Sequence, residues 1–171
     1  GILTISASTS KFAISNNTLT LNGTYSGAAD KLLIGSSSSI ISIGGTGALG
    51  TLYFDQTTDG SSNTLGSLIL NRTSSGTATL GNKLVITDVF TPTAGTLETG
   101  DFLTLRSDVT KTARVAAGSS SGGYVTGKVT VERYITAKRA WRYLCTPLVG
   151  SSNNNIFYNW QNNDQVISNY G

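Results

Sequence analysis

A three-residue pattern recurs along this chain: an apolar residue, a central residue of any type, and a second apolar residue. Successive copies begin 16, 22, 11, 16, 16, 19 and 26 residues apart, with a mean step of 18. The eight copies begin at Leu3, Leu19, Ile41, Leu52, Leu68, Leu84, Leu103 and Val129. Because side chains alternate between the two faces of a β-strand, the outer members of each triplet share one face. The pattern therefore predicts many short strands, each with one buried face.

These strands suit two all-β architectures, a β-sandwich and a β-solenoid. No segment shows a sustained helical period, and β-branched residues with frequent glycine disfavour helices. A sandwich usually has longer strands and more aromatic residues, whereas aromatic residues are only 8% of this chain. The sequence predicts a parallel β-helix, or β-solenoid, with irregular coils and a C-terminal cap. The β-sandwich is the alternative.

Stacking explains why similar strands such as "FLTLRS" (102–107) recur. Two buried aliphatic side chains contribute about 3–6 kcal/mol of transfer free energy per triplet, before the loss of chain entropy is subtracted. A single coil is therefore unstable, and several coils hold together by sharing one core. The uneven steps require loops of different lengths, such as 57–64 and 116–124, which we expect at the corners of the stack.

The chain divides into two predicted parts. Residues 1–132 form the solenoid stack, and residues 133–171 form a capping segment or the truncated start of a following β module. The segment "VERYITAKRAWRYL" (131–144) interleaves basic and aromatic residues. Large amphipathic side chains of this kind suit the open end of a stack, where they protect unpaired strand edges from association.

Composition limits the possible partners. Ser, Thr, Asn and Gly make up 80 of 171 residues, and the formal net charge is only +3 without a dense basic tract. We therefore expect no nucleic-acid partner. No apolar run approaches the ~20 residues that cross a bilayer, so we expect no membrane insertion. Cys145 is the only cysteine and the chain has no histidine, which argues against a disulfide framework and a Cys–His nucleophile.

The acidic residues do not form a recognisable catalytic or metal-binding motif. Glu98 and Asp101 form the closest carboxylate pair, in a turn-like "ETGD". Asp55, Asp59 and Asn63 are spaced by four, yet they lack the ordered ligands and terminal Glu of a calcium loop. We expect the carboxylates to be solvated turn residues with local strand-end contacts, and the 55–63 segment to be a simple exposed turn. No catalytic residue, metal or cofactor is predicted.

Two Thr-any-Thr elements, Thr18-Leu19-Thr20 and Thr77-Ala78-Thr79, raise the possibility of an ice-binding array of hydroxyl groups. Such an array needs the same motif in every coil. The central residues Tyr53, Ile69 and Val85 interrupt it, so ordinary outward-facing threonines are the favoured interpretation.

A glycan-binding surface is the other candidate site. Aromatic rings and guanidinium groups together bind sugars or acidic polymers by stacking and bidentate hydrogen bonding. The candidate residues are Arg139, Trp141, Arg142, Tyr158 and Trp160. A capping role for the first part of this region, and a strand of a truncated module for "SSNNNIFYNWQNN" (151–163), are the favoured alternatives.

Two longer segments carry a family resemblance: "LGSLILNRTSSGTATLGNKLVITDVFTPTAGTLETGDFLTLRSDVTKTARVA" (66–116) and "GYVTGKVTVERYITAKRAWRYLCTPL" (123–148). Over about residues 40–150 the chain resembles the repetitive β-rich segment of very large cell-surface and secreted proteins of the Bacteroidetes, which are commonly exported by the type IX secretion system. The resemblance implies an extracellular or cell-surface location and an adhesin-like or scaffold role within a longer chain.

The expected function is therefore that of a non-enzymatic extracellular stalk or adhesin segment in a large bacterial surface protein. Its expected partners are the remainder of a longer parent chain and, at the surface, glycans or other cell-surface proteins. A carbohydrate-binding module is the first alternative. A polysaccharide-degrading β-helix enzyme is the second, and it would require converging carboxylates on one outer face.

Overall fold

The computed structural model describes residues 1–118 and 123–137, and within them the chain forms fourteen strands and no helix. The strands are β1 (Ile2–Thr4), β2 (Lys11–Ala13), β3 (Thr18–Leu21), β4 (Thr24–Ser26), β5 (Leu32–Ile34), β6 (Ser36–Ile43), β7 (Thr46–Leu52), β8 (Thr64–Asn71), β9 (Thr73–Leu80), β10 (Leu84–Glu98), β11 (Leu103–Leu105), β12 (Arg114–Val115), β13 (Gly123–Thr126) and β14 (Val129–Val131). Gly1–Ile135 forms one compact unit, and a second unit begins at Thr136. In the described part, no helix is long and apolar enough to span a membrane.

The strands wind into a parallel β-solenoid of about six turns, which confirms the predicted fold class over the β-sandwich. Every pairing between the named strands is parallel. We number the turns as coils 1 to 6. Coil 1 contains β1–β3, coil 2 β4–β6, coil 3 β7 and β8, coil 4 β9 and the first part of β10, coil 5 the last part of β10 with β11 and β12, and coil 6 β13 and β14.

Equivalent strands of successive coils stack in three columns. The first column contains β1, β4, β7, β9, the end of β10 and β13, and the third contains β3, β6, β8, the start of β10, β11 and β14. The second column is short, because it contains only β2 and β5, extended by a parallel bridge from Leu33 to Phe54. Each coil thus has up to three strands, separated by corners.

The sequence triplets stack in register, but not in a single row. Leu19, Ile41 and Leu68 align in the third column. Leu84, Leu103 and Val129 align in a second row, which a register shift after Ile86 separates from the first. The triplets at Leu3 and Leu52 belong instead to the first column, opposite Tyr25 and Leu80. The mean step of 18 therefore averages over columns and is not the length of a coil, since 22 and 27 residues separate the aligned Leu19, Ile41 and Leu68.

The outer triplet residues form the buried core, as the pattern predicted. Ile41, Ile43, Leu68 and Leu70 are fully buried and belong to one continuous apolar cluster, whereas Leu3, Leu19, Val129 and Val131 at its two ends are partly buried. This gradient follows from stacking, because the first and last coils described here have a neighbour on one side only.

Two central triplet residues do not face water. Val85 is 0% and Thr104 is 8% exposed. Both lie in register with buried Thr64 on the outer side of the third column. Arg106, two residues after Thr104, extends from coil 5 to coil 3, where its Nη1 donates to the carbonyl oxygen of Gly60 at 3.0 Å. The arginine thereby crosses coil 4, where Val85 lies.

The predicted division at residue 132 stays a prediction. The last described strand, β14, ends at Val131, and Arg133, Tyr134 and Ile135 beyond it are exposed. Residues 138–171, which make up most of the predicted cap, lie outside the described residues.

Replacing Leu70 with aspartate should unfold the stack. Leu70 is fully buried between Ile43 and Pro92 of the adjacent coils, so the Leu70→Asp substitution places an unpaired charge in the core and costs more than about 4 kcal/mol of unfolding free energy. Leu105→Asp should act in the same way. Thermal melts followed by circular dichroism would measure the loss.

Asn71→Asp is the matched control, because it adds the same charge at the exposed neighbouring position and should change stability by less than about 0.5 kcal/mol. Equal melting temperatures for Leu70→Asp and the parent chain would contradict the inward assignment.

Candidate functional site

The five predicted glycan-binding residues lie outside the described residues: Arg139, Trp141, Arg142, Tyr158 and Trp160. A glycan site formed by them stays a prediction. Cys145 also lies outside them. The acidic residues and the Thr-any-Thr elements that the sequence pointed to are described.

The carboxylates of Glu98 and Asp101 bind different coils. Glu98 accepts a hydrogen bond of 2.8 Å from the Thr79 hydroxyl in coil 4. Asp101 accepts one of 2.7 Å from the backbone N–H of Lys128 in coil 6. The two carboxylates therefore connect coil 5 to its neighbours on either side, Glu98 to coil 4 and Asp101 to coil 6.

Both carboxylates of the 55–63 loop are paired with lysines of other coils. Asp55 Oδ1 lies 3.0 Å from Lys11 Nζ, and Asp59 Oδ2 lies 2.7 Å from Lys83 Nζ. Coils 1 and 4 thus hold the loop of coil 3 from both sides. Across residues 1–118 and 123–137 no three acidic, His or Cys side chains are grouped in a way that could hold a metal ion.

Hydrogen bonds lower the pKa values of both loop carboxylates. The Thr57 hydroxyl, 2.6 Å from Asp55 Oδ1, is the main cause for Asp55, and Lys11 adds to it. Lys83 is the main cause for Asp59, followed by the amide of Asn63. Both groups are therefore held in the charged form that pairs with the lysines.

The prediction of a simple exposed turn was wrong for Asp55 and Asn63, which are buried by the hydrogen bonds within the loop. Asn63 organises the interior of this loop. Its side chain is fully buried, and its Nδ2 donates at 2.8 Å to both Gln56 Oε1 and Asp59 Oδ1. Its Oδ1 accepts a hydrogen bond of 2.7 Å from the backbone N–H of Gly60. These bonds direct the oxygen atoms of the loop toward protein donors, which is the geometry of a structural turn.

An asparagine side chain takes the place of a strand in the second column of coil 4. Asn82 Oδ1 accepts from the backbone N–H of Phe54 at 2.8 Å, and its Nδ2 donates to the carbonyl oxygen of Phe54 at 2.7 Å. Gln56 Nε2 also bonds to this carbonyl, at 3.1 Å, and to that of Lys83, at 2.9 Å. Amide groups thus satisfy backbone groups at the corner where no strand is present.

The two Thr-any-Thr elements lie in different columns. Thr18 and Thr20 align with Ile40 and Ser42 in the third column. In the first column, Thr77 and Thr79 align with Thr96 and Glu98 of the next coil. Hydroxyl groups therefore recur over only parts of these rows, and other side chains interrupt them.

Arg72 is a buried cation that the sequence analysis missed. It is 1% exposed at the turn before β9, and among the described residues no carboxylate forms an ion pair with it. All its polar contacts given by the structure are backbone carbonyl oxygens. They belong to Gly23, Gly44, Thr46, Gly47 and Ala48. Burial lowers the pKa of the guanidinium, which nevertheless stays charged at neutral pH.

The carbonyl cage around Arg72 comes from the turns that precede β4 and β7 and from the first three residues of β7. Nε donates to Gly47 at 2.5 Å, and Nη2 donates to Gly23 and Thr46, both at 2.8 Å. Gly45 and Gly47 have φ values of +78° and +68°, which favour glycine and let the turn curl around the guanidinium. The glycine-rich "GGTG" (44–47) was the available signal, together with an isolated arginine in "LNRT".

Comparison of the chain with protein-family models, curated proteins and solved structures found no match. Among the described residues, the side chains of Asp55, Asp59, Glu98, Asp101 and Asn82 each contact another coil. Such contacts stabilise an axial stack.

Removing the Thr64 hydroxyl should stabilise the fold. Thr64 is 1% exposed and its Oγ1 has no hydrogen-bond partner in the described part of the chain. Thr64→Val should raise the free energy of unfolding by about 1 kcal/mol, because it removes a buried unsatisfied polar group while keeping the shape.

Thr87→Val is the matched comparison, since the buried Thr87 hydroxyl donates to the Leu65 carbonyl at 3.3 Å. That variant should lose about 1 kcal/mol. Urea unfolding would measure both changes, and two changes of the same sign would contradict this assignment of the two hydroxyls.

The contribution of Asp55 to stability should depend on pH. Its pKa is lowered in the folded chain, so its stabilisation is fully present above the unfolded pKa of about 3.9 and is lost as pH falls through the folded value. Asp55→Asn should therefore destabilise the chain by roughly 1–2 kcal/mol at pH 7, with a smaller difference at pH 2.

Denaturant unfolding at several pH values would measure this difference. Asp30→Asn makes the same charge change at an exposed position and serves as the control. A pH-independent difference between Asp55→Asn and the parent chain would argue against the charged pair with Lys11.

Proposed function

We propose that this chain is a non-enzymatic, extracellular stalk or adhesin segment of a large bacterial surface protein. The observation that carries the proposal is the uninterrupted order of parallel strands in the third column, β3–β6–β8–β10–β11–β14. Backbone hydrogen bonds in such a column run from coil to coil along the solenoid axis. The same bonds that hold the fold together therefore give it length and stiffness.

Side chains reinforce this axial connection. Lys11 and Lys83 hold the 55–63 loop from coils 1 and 4, and Arg106 extends from coil 5 to coil 3. The Thr99 hydroxyl donates to the carbonyl oxygens of Thr126 and Lys128 in coil 6, at 3.0 and 2.9 Å. Polar groups that a binding site or enzyme would direct toward a ligand are here used between coils, which supports a structural role.

Composition and family resemblance support the location. The composition is rich in Ser, Thr and Asn with 12% charged residues, and in the described part the backbone is largely paired in strands, which resists the local opening that proteases need. The resemblance to Bacteroidetes surface proteins supports the proposed origin, export by type IX secretion and placement within a longer parent chain. The proposed partners are the rest of that chain and the glycans or proteins of the cell surface.

Exchanging the segment within its parent protein would test the proposal. In the producing bacterium, replacing residues 1–131 with a flexible Gly/Ser linker of the same number of residues should reduce adhesion to the level of a strain lacking the segment. Replacement with an unrelated β-solenoid of equal coil number should restore it, because a stalk requires length and stiffness rather than a particular surface.

Antibodies against the segment should label intact cells of the parent strain, which verifies surface display in the same experiment. Adhesion that the unrelated solenoid fails to restore would show that a specific surface of this chain binds a ligand. Adhesion unaffected by the flexible linker would contradict the stalk role.

A further inference from the structure

We infer that Arg72 is an internal cation that couples coil 2 directly to coil 4, so that the N-terminal coils open together with the middle of the stack. The inference concerns the stability of the chain and does not depend on the proposed location or adhesion. In the carbonyl cage described above, the Arg72 side chain of coil 4 contacts backbone carbonyl oxygens of the two preceding coils.

The position of the cage along the axis carries the argument. Arg72 lies directly before the first strand of coil 4, and Gly23 directly before the first strand of coil 2. Gly44 lies in the corresponding turn of coil 3, and Thr46–Ala48 begin its first strand, β7. The bond from Arg72 Nη2 to the Gly23 carbonyl at 2.8 Å therefore passes coil 3 and reaches its second neighbour. Residues of three consecutive coils, 2, 3 and 4, thus meet at one guanidinium group.

Solenoids normally lack this kind of connection. Their stability is close to a sum of intrinsic coil stabilities and contacts between nearest neighbours, so terminal coils fray independently. A contact between second neighbours changes this behaviour, because coil 2 cannot leave without breaking a bond to coil 4. Coil 1, at the described N-terminal end, is stacked on coil 2 by β1–β4, β2–β5 and β3–β6.

The charge makes the coupling strong. Arg72 is 1% exposed, and its positive charge is balanced only by the partial negative charges of carbonyl oxygens in the described part of the chain. If the turn at Gly23 moves away, the buried guanidinium loses an acceptor and is left incompletely compensated, which is costly for a charged group. Opening of coil 2 thus weakens the turn of coil 4.

The shape of the guanidinium suits this cage better than an ammonium group would. Arginine presents N–H donors from three nitrogens in a fixed plane, and all three are used: Nε bonds to one carbonyl oxygen, Nη1 to one, and Nη2 to three. A lysine has three donors around one nitrogen and cannot reach the same spread of oxygens. The cage should therefore accept a free guanidinium ion when the side chain is removed.

Hydrogen exchange measured by mass spectrometry would test the coupling. In the parent chain, peptides from β1–β6 should exchange at rates similar to those of β7–β9. Arg72→Met should speed exchange of β1–β6 by about tenfold, a usual size for coupling between sites, and leave β11 and β14 nearly unchanged. Arg114→Met, at an exposed arginine, should leave the pattern unaltered.

Chemical rescue would identify the cation. Millimolar methylguanidinium should restore the slow exchange of β1–β6 in Arg72→Ala and have no effect on the parent chain. Urea at the same concentration, which is planar but neutral, should fail to restore it. Arg72→Lys, which keeps the charge, provides a milder variant and should give an intermediate exchange rate.

Three results would overturn the inference: exchange that increases uniformly along the whole chain, exchange that does not change in β1–β6, or rescue by urea as effective as by methylguanidinium. The first would show that Arg72 supports the whole stack equally, the second that the coils are not coupled through it, and the third that its charge is irrelevant.

Discussion

Parallel, in-register pairing between successive coils is the constraint on which this structure depends. Each coil has too few apolar side chains to form a core, so Ile41 and Ile43 are buried only because Leu19 and Leu21 lie on one side and Leu68 and Leu70 on the other. Since the pairing repeats for about six turns, small local contributions add up along one axis. The stacked coils are thus stable together, whereas a single coil would be unstable.

Polar side chains also connect successive coils at the corners, where strands are absent. Asn82 pairs with both backbone groups of Phe54, and Asn63 fills the loop that precedes β8. Charged groups are few and are used in the same way, as the pairs of Asp55 with Lys11 and Asp59 with Lys83 illustrate. This chain has few charged residues, and several of the described ones form contacts between its own coils.

The sequence predicted the stacking and the inward face of each triplet, because alternation in a strand leaves a clear pattern at positions such as Ile41 and Leu70. It did not predict that the triplets belong to different columns, since a triplet carries no mark of the column in which it lies. It also did not predict the burial of the central residue Val85, since a triplet does not show what covers its outer face. Arg72 was missed for a related reason: its partners are backbone carbonyl oxygens, which every residue has and no side-chain motif reveals.

The corner between the first and third columns is built in two different ways in consecutive coils. Coil 3 uses the 55–63 loop there, whereas coil 4 uses a short turn at Gly81–Lys83 in which one amide group replaces the missing strand. Both versions deliver the chain to the next strand in the same register, as the pairing of Leu65 with Ile86 shows. The ladder therefore accommodates connections of different lengths at this corner, which makes it a suitable place for grafting epitopes or reactive tags.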